Sequence, residues 1–125
     1  MTSFERGKTY SRQQIQAVLG GGLQDYLPHV GGVVVAGCFN KEYNPDAPTV
    51  ILPGEGVEIE KWGRVFAAQT HAIPVFVKKR SNEWHCFGSF KCSRLSDDPA
   101  TIAEHAKRAG RDNVTMVLFL ERQRD

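Results

Sequence analysis

The stretch Ile73–Leu95, "IPVFVKKRSNEWHCFGSFKCSRL", decides the fold. Ile73 to Lys79 is an apolar run that turns basic, and Ser81-Asn82-Glu83 is turn chemistry. Trp84 to Leu95 reads as a second strand, so the two arms predict a hairpin. Alternation sorts the second arm into two faces. Trp84, Cys86, Gly88, Phe90 and Cys92 form a core face, and His85, Phe87, Ser89, Lys91 and Ser93 a polar one. The polar face is either plain solvent surface or the wall of a groove, and Phe87 and Lys91 beside His85 favour the groove. The hairpin also places Lys78, Lys79 and Arg80 next to Trp84. Cations beside rings suit nucleic acid, which needs charge for phosphates and π-faces for stacking, although basic hairpin tips also serve solubility.

Working outward, Pro99–Ala109 predicts a helix with Asp98 as N-cap and Gly110 as C-cap, followed by a strand from Val114 to Glu121. Upstream, Glu58 to Gln69 predicts a helix with Ile59, Trp62 and Phe66 on one side, weakened by Gly63. Thr49 to Leu52 is a short strand closed by Pro53-Gly54, and Val30 to Cys38 a longer one. Ser11 and Gln14 make a capping box that opens a helix with Ile15, Val18 and Leu19 as its stripe, ended by Gly20 to Gly22. Residues 1–10 read as a loose arm. The order α, β, β, α, β, β, α, β gives an α+β fold: a compact curled β-sheet or β-barrel with short flanking helices. At 125 residues it is read as a single domain over 1–125.

Composition is that of an ordinary globular chain, with 41% hydrophobic and 24% charged residues. Apolar runs such as Val33–Ala36 are far too short to cross a bilayer, and residues 1–20 have no signal core. Three cysteines are expected as reduced thiols, which places the protein in the cytoplasm. Charge is uneven. Between Lys61 and Arg111 ten Lys or Arg face four acids, whereas Lys41 to Glu60 carries one Lys against five acids. This fits a phosphate-contacting face beside an acidic loop, or two solvated surfaces.

No glycine-rich phosphate loop follows a strand, and no CxxC, HxH or HExxH occurs. Cys86 and Cys92, six apart on one strand, are roughly 20 Å from each other and cannot share an ion unless the strand bends sharply. Neither metal nor cofactor is expected. Cys38, with His29 or His71 as base, is a candidate nucleophile that competes with a buried structural thiol.

The segment "VAGCFNKEYNPDAPTVILPGEG", residues 35–56, puts Phe39, Tyr43 and several acids on one long connection between strands. It leads into "FAAQTHAIPVFVKKR", then "WHCFGSFKC", and last "VTMVLFLER". Over about residues 30–122 this order resembles the SRA (SET- and RING-associated, also YDG) domain of the PUA-like β-barrel superfamily. Ala36-Gly37-Cys38-Phe39 corresponds to that family's strand ending in glycines and an aromatic. Leu52-Pro53-Gly54-Glu55-Gly56 corresponds to its Tyr-Thr-Gly-x-Gly turn. Ile73–Lys79, Trp84–Phe90 and Leu118–Arg122 correspond to its later strands.

The resemblance implies a non-enzymatic reader that binds duplex DNA and flips a modified cytosine, 5-methyl or 5-hydroxymethyl, into an aromatic pocket. It implies Phe39 as a stacking ring, Glu42 or Asp46 as reader of the base edge, and the turn at Gly54 to Gly56 as close backbone contact. Leu52 and Pro53 replace the family's tyrosine and threonine, so a second ring has to come from Tyr43, Trp62 or Phe87. Gln69 hydrogen-bonds either a loop or a base edge. Lys78, Lys79, Arg80, Lys91 and Arg94 are the expected phosphate contacts. The residues also carry plainer readings: Phe39 as the last core residue of its strand, Tyr43 as a pin for its own loop, Asp46 before Ala47-Pro48 as turn chemistry. DNA is the expected partner ahead of RNA, with a nuclease domain or subunit alongside, no membrane, and a monomer or weak homodimer. The alternatives are a PUA-like protein binding RNA or a modified nucleotide, and a small enzyme using Cys38 or an acid of the 42–46 loop on a nucleotide or base.

Overall fold

The computed structural model describes residues 4–124. It is an α+β fold in which one curled, mixed sheet carries three short helices. The elements run β1 (Thr9–Tyr10), α1 (Arg12–Leu19), β2 (His29–Val30), β3 (Val33–Val34), β4 (Gly37–Phe39), β5 (Val50–Ile51), α2 (Val57–Ala68), β6 (Ile73–Arg80), β7 (Glu83–Ser96), α3 (Pro99–Ala109) and β8 (Val117–Arg122). The main sheet has the order β4-β6-β7-β8-β5, with β1 added beside β7. It does not close, since β4 and β5 remain its two ends. The curled sheet is therefore the observed form and the barrel is not.

Local signals place the helices. Ser11 Oγ accepts from Gln14 N while Gln14 reaches back to Ser11 N, the reciprocal capping box. Asp98 accepts from Thr101 N, Pro99 fills the first turn of α3, and Gly110 ends it in the left-handed region. The hairpin of β6 and β7 forms as expected, with Val77 opposite His85 and Lys78 opposite Trp84.

Two features depart from expectation. Residues 4–10 are not a loose arm: Phe4 is buried, β1 pairs with β7, and the Phe4 ring packs edge-on against Tyr10 and Phe76. Residues 1–3 lie outside the described residues. The single strand expected from Val30 to Cys38 is instead a two-stranded hairpin followed by β4. Its turn is Gly31-Gly32, with φ of 57° and 81°, the two positive values that a tight hairpin of right-handed twist requires.

The sorting of β7 into one core face and one polar face also fails. Along β6, Ile73, Val75 and Val77 enter one hydrophobic cluster and Phe76 enters another. On β7, Trp84 and Cys86 join Phe76, Phe4 and Ile15, whereas Phe90 and Cys92 join the Ile73 side with Phe39, Phe66 and Leu118. Strict alternation would keep all four on one face. The register slips between Val75 and Phe76, which pair with Gly88 and Cys86, so Phe87 is the extra residue of a β-bulge. Gly88 holds the kink at φ 103°. Phe87 accordingly leans on the Phe90 side.

A side chain at Gly88 has room but not the backbone angle. Gly88→Ala is expected to lower stability by about 1–3 kcal/mol, read from urea unfolding midpoints. An unchanged midpoint would show that the kink relaxes without the glycine.

Candidate nucleic-acid interface

The parallel pairing of β4 with β6 sets Cys38 beside Phe76 and Phe39 beside Val77, so the chain leaves the sheet at Asn40 level with Lys78. The loop that follows is tied down by its own polar atoms. Asn40 O accepts from Tyr43 N at 3.1 Å and Asn44 N at 2.9 Å, and Asn40 Oδ1 accepts from Glu42 N at 3.0 Å. Asn44 Oδ1 accepts from the buried Leu52 N at 2.7 Å. Arg111 Nη1 donates to Tyr43 O and Leu52 O at 2.9 and 2.7 Å. Arg108 forms a bidentate pair with Asp46, both contacts 2.8 Å. The Tyr43 ring takes no part in that bonding and is 55% exposed.

Facing this loop is the connection between α1 and β2, which presents Tyr26. Its carbonyl accepts from Cys38 N at 2.8 Å and its hydroxyl donates to Ile59 O. Burial, reinforced by Glu60, pushes the phenol above its ordinary value, so it stays neutral. Gly63 of α2 lets the helix close on this ring: a Cβ there would lie 3.1 Å from the Tyr26 hydroxyl and 3.3 Å from Met116 Sδ. The glycine that weakens the helix is thus also the point of its close approach to the ring.

Between the two loops runs a groove made of two adjoining clefts, of about 370 and 340 Å³, which share Gln24, Tyr26, Tyr43 and Asn44. The first also has Arg12, Cys38, Asn40, Lys78 and Trp84; the second ends on Leu52, Pro53, Ile59 and Arg111. Round the sheet end, a further cleft of about 280 Å³ is lined by Lys41, Lys78, Lys79, His85 and Phe87. Lys78 is common to it and the first cleft. His85 meets Phe87 edge-on with centroids 5.0 Å apart.

Of the residues picked from the sequence, Tyr43 and Leu52 line the groove, and Phe87, Lys78 and Lys79 line the basic cleft. Others lie elsewhere. Phe39 is 1% exposed within the core, so its ring faces no ligand. Asp46 is held outside by Arg108, which draws its carboxyl below the usual carboxylate range, and Glu42 is exposed on the loop and lines neither the groove nor the basic cleft. Gly54 bridges to Val114 and Gly56 caps α2 with φ 147°. Gln69 resolves towards the backbone, bracketing Val34 through bonds of 2.7 and 3.1 Å. Arg80 approaches Glu83 at 3.8 Å, Lys91 lies opposite Glu121 and Arg94 sits over Phe119 at 4.3 Å. Trp62 stacks on His29 at 3.5 Å and serves a separate, smaller hollow.

Sequence reasoning missed Arg12, Gln24, Tyr26, Asn40, Asn44 and Trp84 as lining. The legible signal was Tyr26, an aromatic inside the glycine-rich, polar "GGGLQDYLPH". Cys38 lies in the first cleft, but burial pushes its thiol up to about 12, so it carries no nucleophilic thiolate at neutral pH. Among the described residues no three His, Cys, Asp or Glu are grouped to hold a metal, and no helix is long and apolar enough to cross a membrane.

Two outcomes check this geometry. Asn44→Ala strands the buried Leu52 N–H and is expected to cost about 1–3 kcal/mol in urea unfolding; a negligible change would mean that water replaces the amide. Cys38 is expected to resist iodoacetamide at pH 8 in the folded protein and to react at once in denaturant. Rapid labelling of the native state would contradict the raised thiol.

Among solved structures, the crystal structure of a complex of the SUVH5 SRA domain with hemi-methylated CG DNA superposes with a TM-score of 0.64. Sequence identity is 12%, and the match covers 100% of this chain and 92% of that one. The fold is therefore SRA-like. No curated protein matches the sequence. Residues 9–115 match the model of a family described as a domain of unknown function (DUF6697), and the chain belongs to that family.

Proposed function

We propose that the protein binds DNA and holds a modified cytosine, 5-methyl or 5-hydroxymethyl, flipped from the duplex into the groove between Tyr26 and Tyr43. The observation that carries this reading is the continuity of two surfaces at Lys78. A groove walled by two tyrosines joins a basic cleft containing Lys41, Lys78 and Lys79. A flipped base needs flat π-walls and a few fixed polar atoms at its edge, enough to offset an unstacking cost of a few kcal/mol. The tyrosines offer the walls, and the side-chain amides of Gln24 and Asn40 offer donors and acceptors, whereas Asn44 is committed to Leu52 N and Asn40 O. The lysines outside the groove suit the flanking phosphates, which supply affinity without sequence preference. The likeness of fold to an SRA domain described in complex with hemi-methylated CG DNA supports the choice of partner.

The edge reader differs from the one expected from the sequence. Glu42 and Asp46 lie outside the groove; within it, the polar side chains suited to that role are Gln24, Asn40 and, in the second cleft, Asp25. The module reads rather than catalyses, in keeping with the protonated Cys38.

Fluorescence anisotropy on matched duplexes carrying cytosine, 5-methylcytosine or 5-hydroxymethylcytosine, with an RNA of the same sequence, tests the reading. One modified duplex is expected to bind at least about tenfold tighter than the plain one. Tyr43→Ala should cost roughly 1–3 kcal/mol of that binding, the worth of a stacked base. Replacing Lys78, Lys79 and Arg80 by Ala should weaken every duplex. It should also flatten the salt dependence, by about one unit of log–log slope for each phosphate left without its cation. Equal affinity for plain and modified duplexes would remove base reading, and a preference for RNA would transfer the groove to an RNA ligand.

A further inference from the structure

Arg12 is the least expected residue of the groove. It is only 6% exposed, yet no carboxylate among the described residues pairs with it. Its Nη2 donates to the carbonyls of Gly22 at 3.1 Å and Asp25 at 2.9 Å, and its guanidinium lies over the Trp84 ring at 5.2 Å. Asp25 offers its backbone oxygen, not its side chain. Arg12 Nε is buried without any acceptor among the described residues. Burying a cation on two carbonyls and a ring, with one donor left over, is costly unless a negative charge arrives.

The rest of the first cleft has the same bias. Its lining contains Arg12 and Lys78 but no Asp or Glu. Lys78 is the cross-strand neighbour of Trp84, the ring under Arg12, and lines the same cleft. Tyr26 and Tyr43 are the other rings of that cleft. A volume of about 370 Å³ is enough for a nucleotide as a whole, not a base alone.

We infer that the Arg12–Trp84–Lys78 end of the cleft is an oxyanion subsite, which takes the negatively charged group of a nucleotide whose ring lies at the tyrosines. This rests on the groove being the nucleotide site and adds the charge of its ligand. Two sources share the chemistry: the phosphate of the nucleotide, or a carboxylate carried by the base. Arg12 keeps its Nη1 donors for either, since Nη2 is engaged by Gly22 and Asp25 and Nε is closed off, and Lys78 is a mobile point charge at the rim.

Titration calorimetry of the whole chain with three small ligands separates them: deoxycytidine, deoxycytidine 5′-monophosphate and 5-carboxydeoxycytidine. At least one charged ligand is expected to bind about tenfold or more tighter than deoxycytidine. A gain confined to the monophosphate assigns the subsite to phosphate, and one confined to the carboxylated nucleoside assigns it to the base. Lys78→Ala should narrow the gap between charged and uncharged ligands, and Arg12→Gln should abolish it. Because Arg12 also ties down residues 22–25, its variant is paired with a measurement on the unaltered protein. Inorganic phosphate should shift the indole N–H resonance of Trp84 in a saturable way. Equal affinity for all three ligands, absence of binding by all three, or an unmoved indole resonance would overturn the subsite. Duplex discrimination that survives such a result would leave the DNA reading standing; mononucleotide binding without any DNA binding would do the reverse.

Discussion

The bulge at Phe87 in β7 is the constraint on which the rest depends. Fourteen residues form this strand, and at Phe87-Gly88 its side chains exchange faces. Below the bulge, Phe90 and Cys92 serve the larger core; above it, Trp84 and Cys86 serve the smaller one. The smaller core then needs its own cover, which residues 4–10 and α1 provide through Phe4 and Ile15. That cover carries Arg12 on to the Trp84 ring. Without the exchange of faces, Trp84 would point into the larger core, and the cleft would have neither its indole nor its buried cation.

What was legible in the sequence was what local chemistry determines. The caps at Ser11, Asp98 and Gly110, the β6–β7 hairpin and the helix over 99–109 depend on residues within a few positions of one another, and all form. The bulge depends on which residue of β6 meets which residue of β7, and a one-residue slip leaves no trace in composition. Gly31-Gly32 between apolar pairs was a readable hairpin signal, hidden because Val30 to Cys38 also reads as one apolar run. Phe39 misled for a related reason. All three residues of β4 are buried, Cys38 towards one core and Phe39 towards the other, so an aromatic at a strand end carries no information about ligands.

The charge pattern was legible in amount and misleading in use. The ten cations between Lys61 and Arg111 looked like one phosphate face. Several are committed to the fold: Arg108 to Asp46, Arg111 to two loop carbonyls, Arg94 to the Phe119 ring. The acidic loop and the basic stretch are thus two halves of one clamp, in which arginines at the end of α3 hold residues 43–52. Lys78 and Lys79 line the basic cleft instead, joined there by Lys41 from the acidic loop. Planar, many-donor guanidinium groups suit fixed loop carbonyls, while flexible ammonium groups suit a partner whose phosphates have to be met in several positions.

The groove walls divide the same way. Tyr26 is fixed at both ends, by its carbonyl and its hydroxyl, and closed over by α2. Tyr43 has a fixed backbone, through Asn40 and Arg111, and an exposed ring. A ring of two side-chain torsions is the cheapest aromatic element to order on binding, at roughly 0.5–1.5 kcal/mol for an immobilised side chain. The loop itself is already held, so a ligand entering the groove meets one preset wall and has to order little more than the other ring. Affinity in such a site depends on how well the preset wall and the polar atoms beside it fit the ligand, and the adjustable ring admits ligands of differing width. Selectivity among them therefore has to come from the fixed side: Tyr26, the Asn40 amide, and Arg12 over the Trp84 ring.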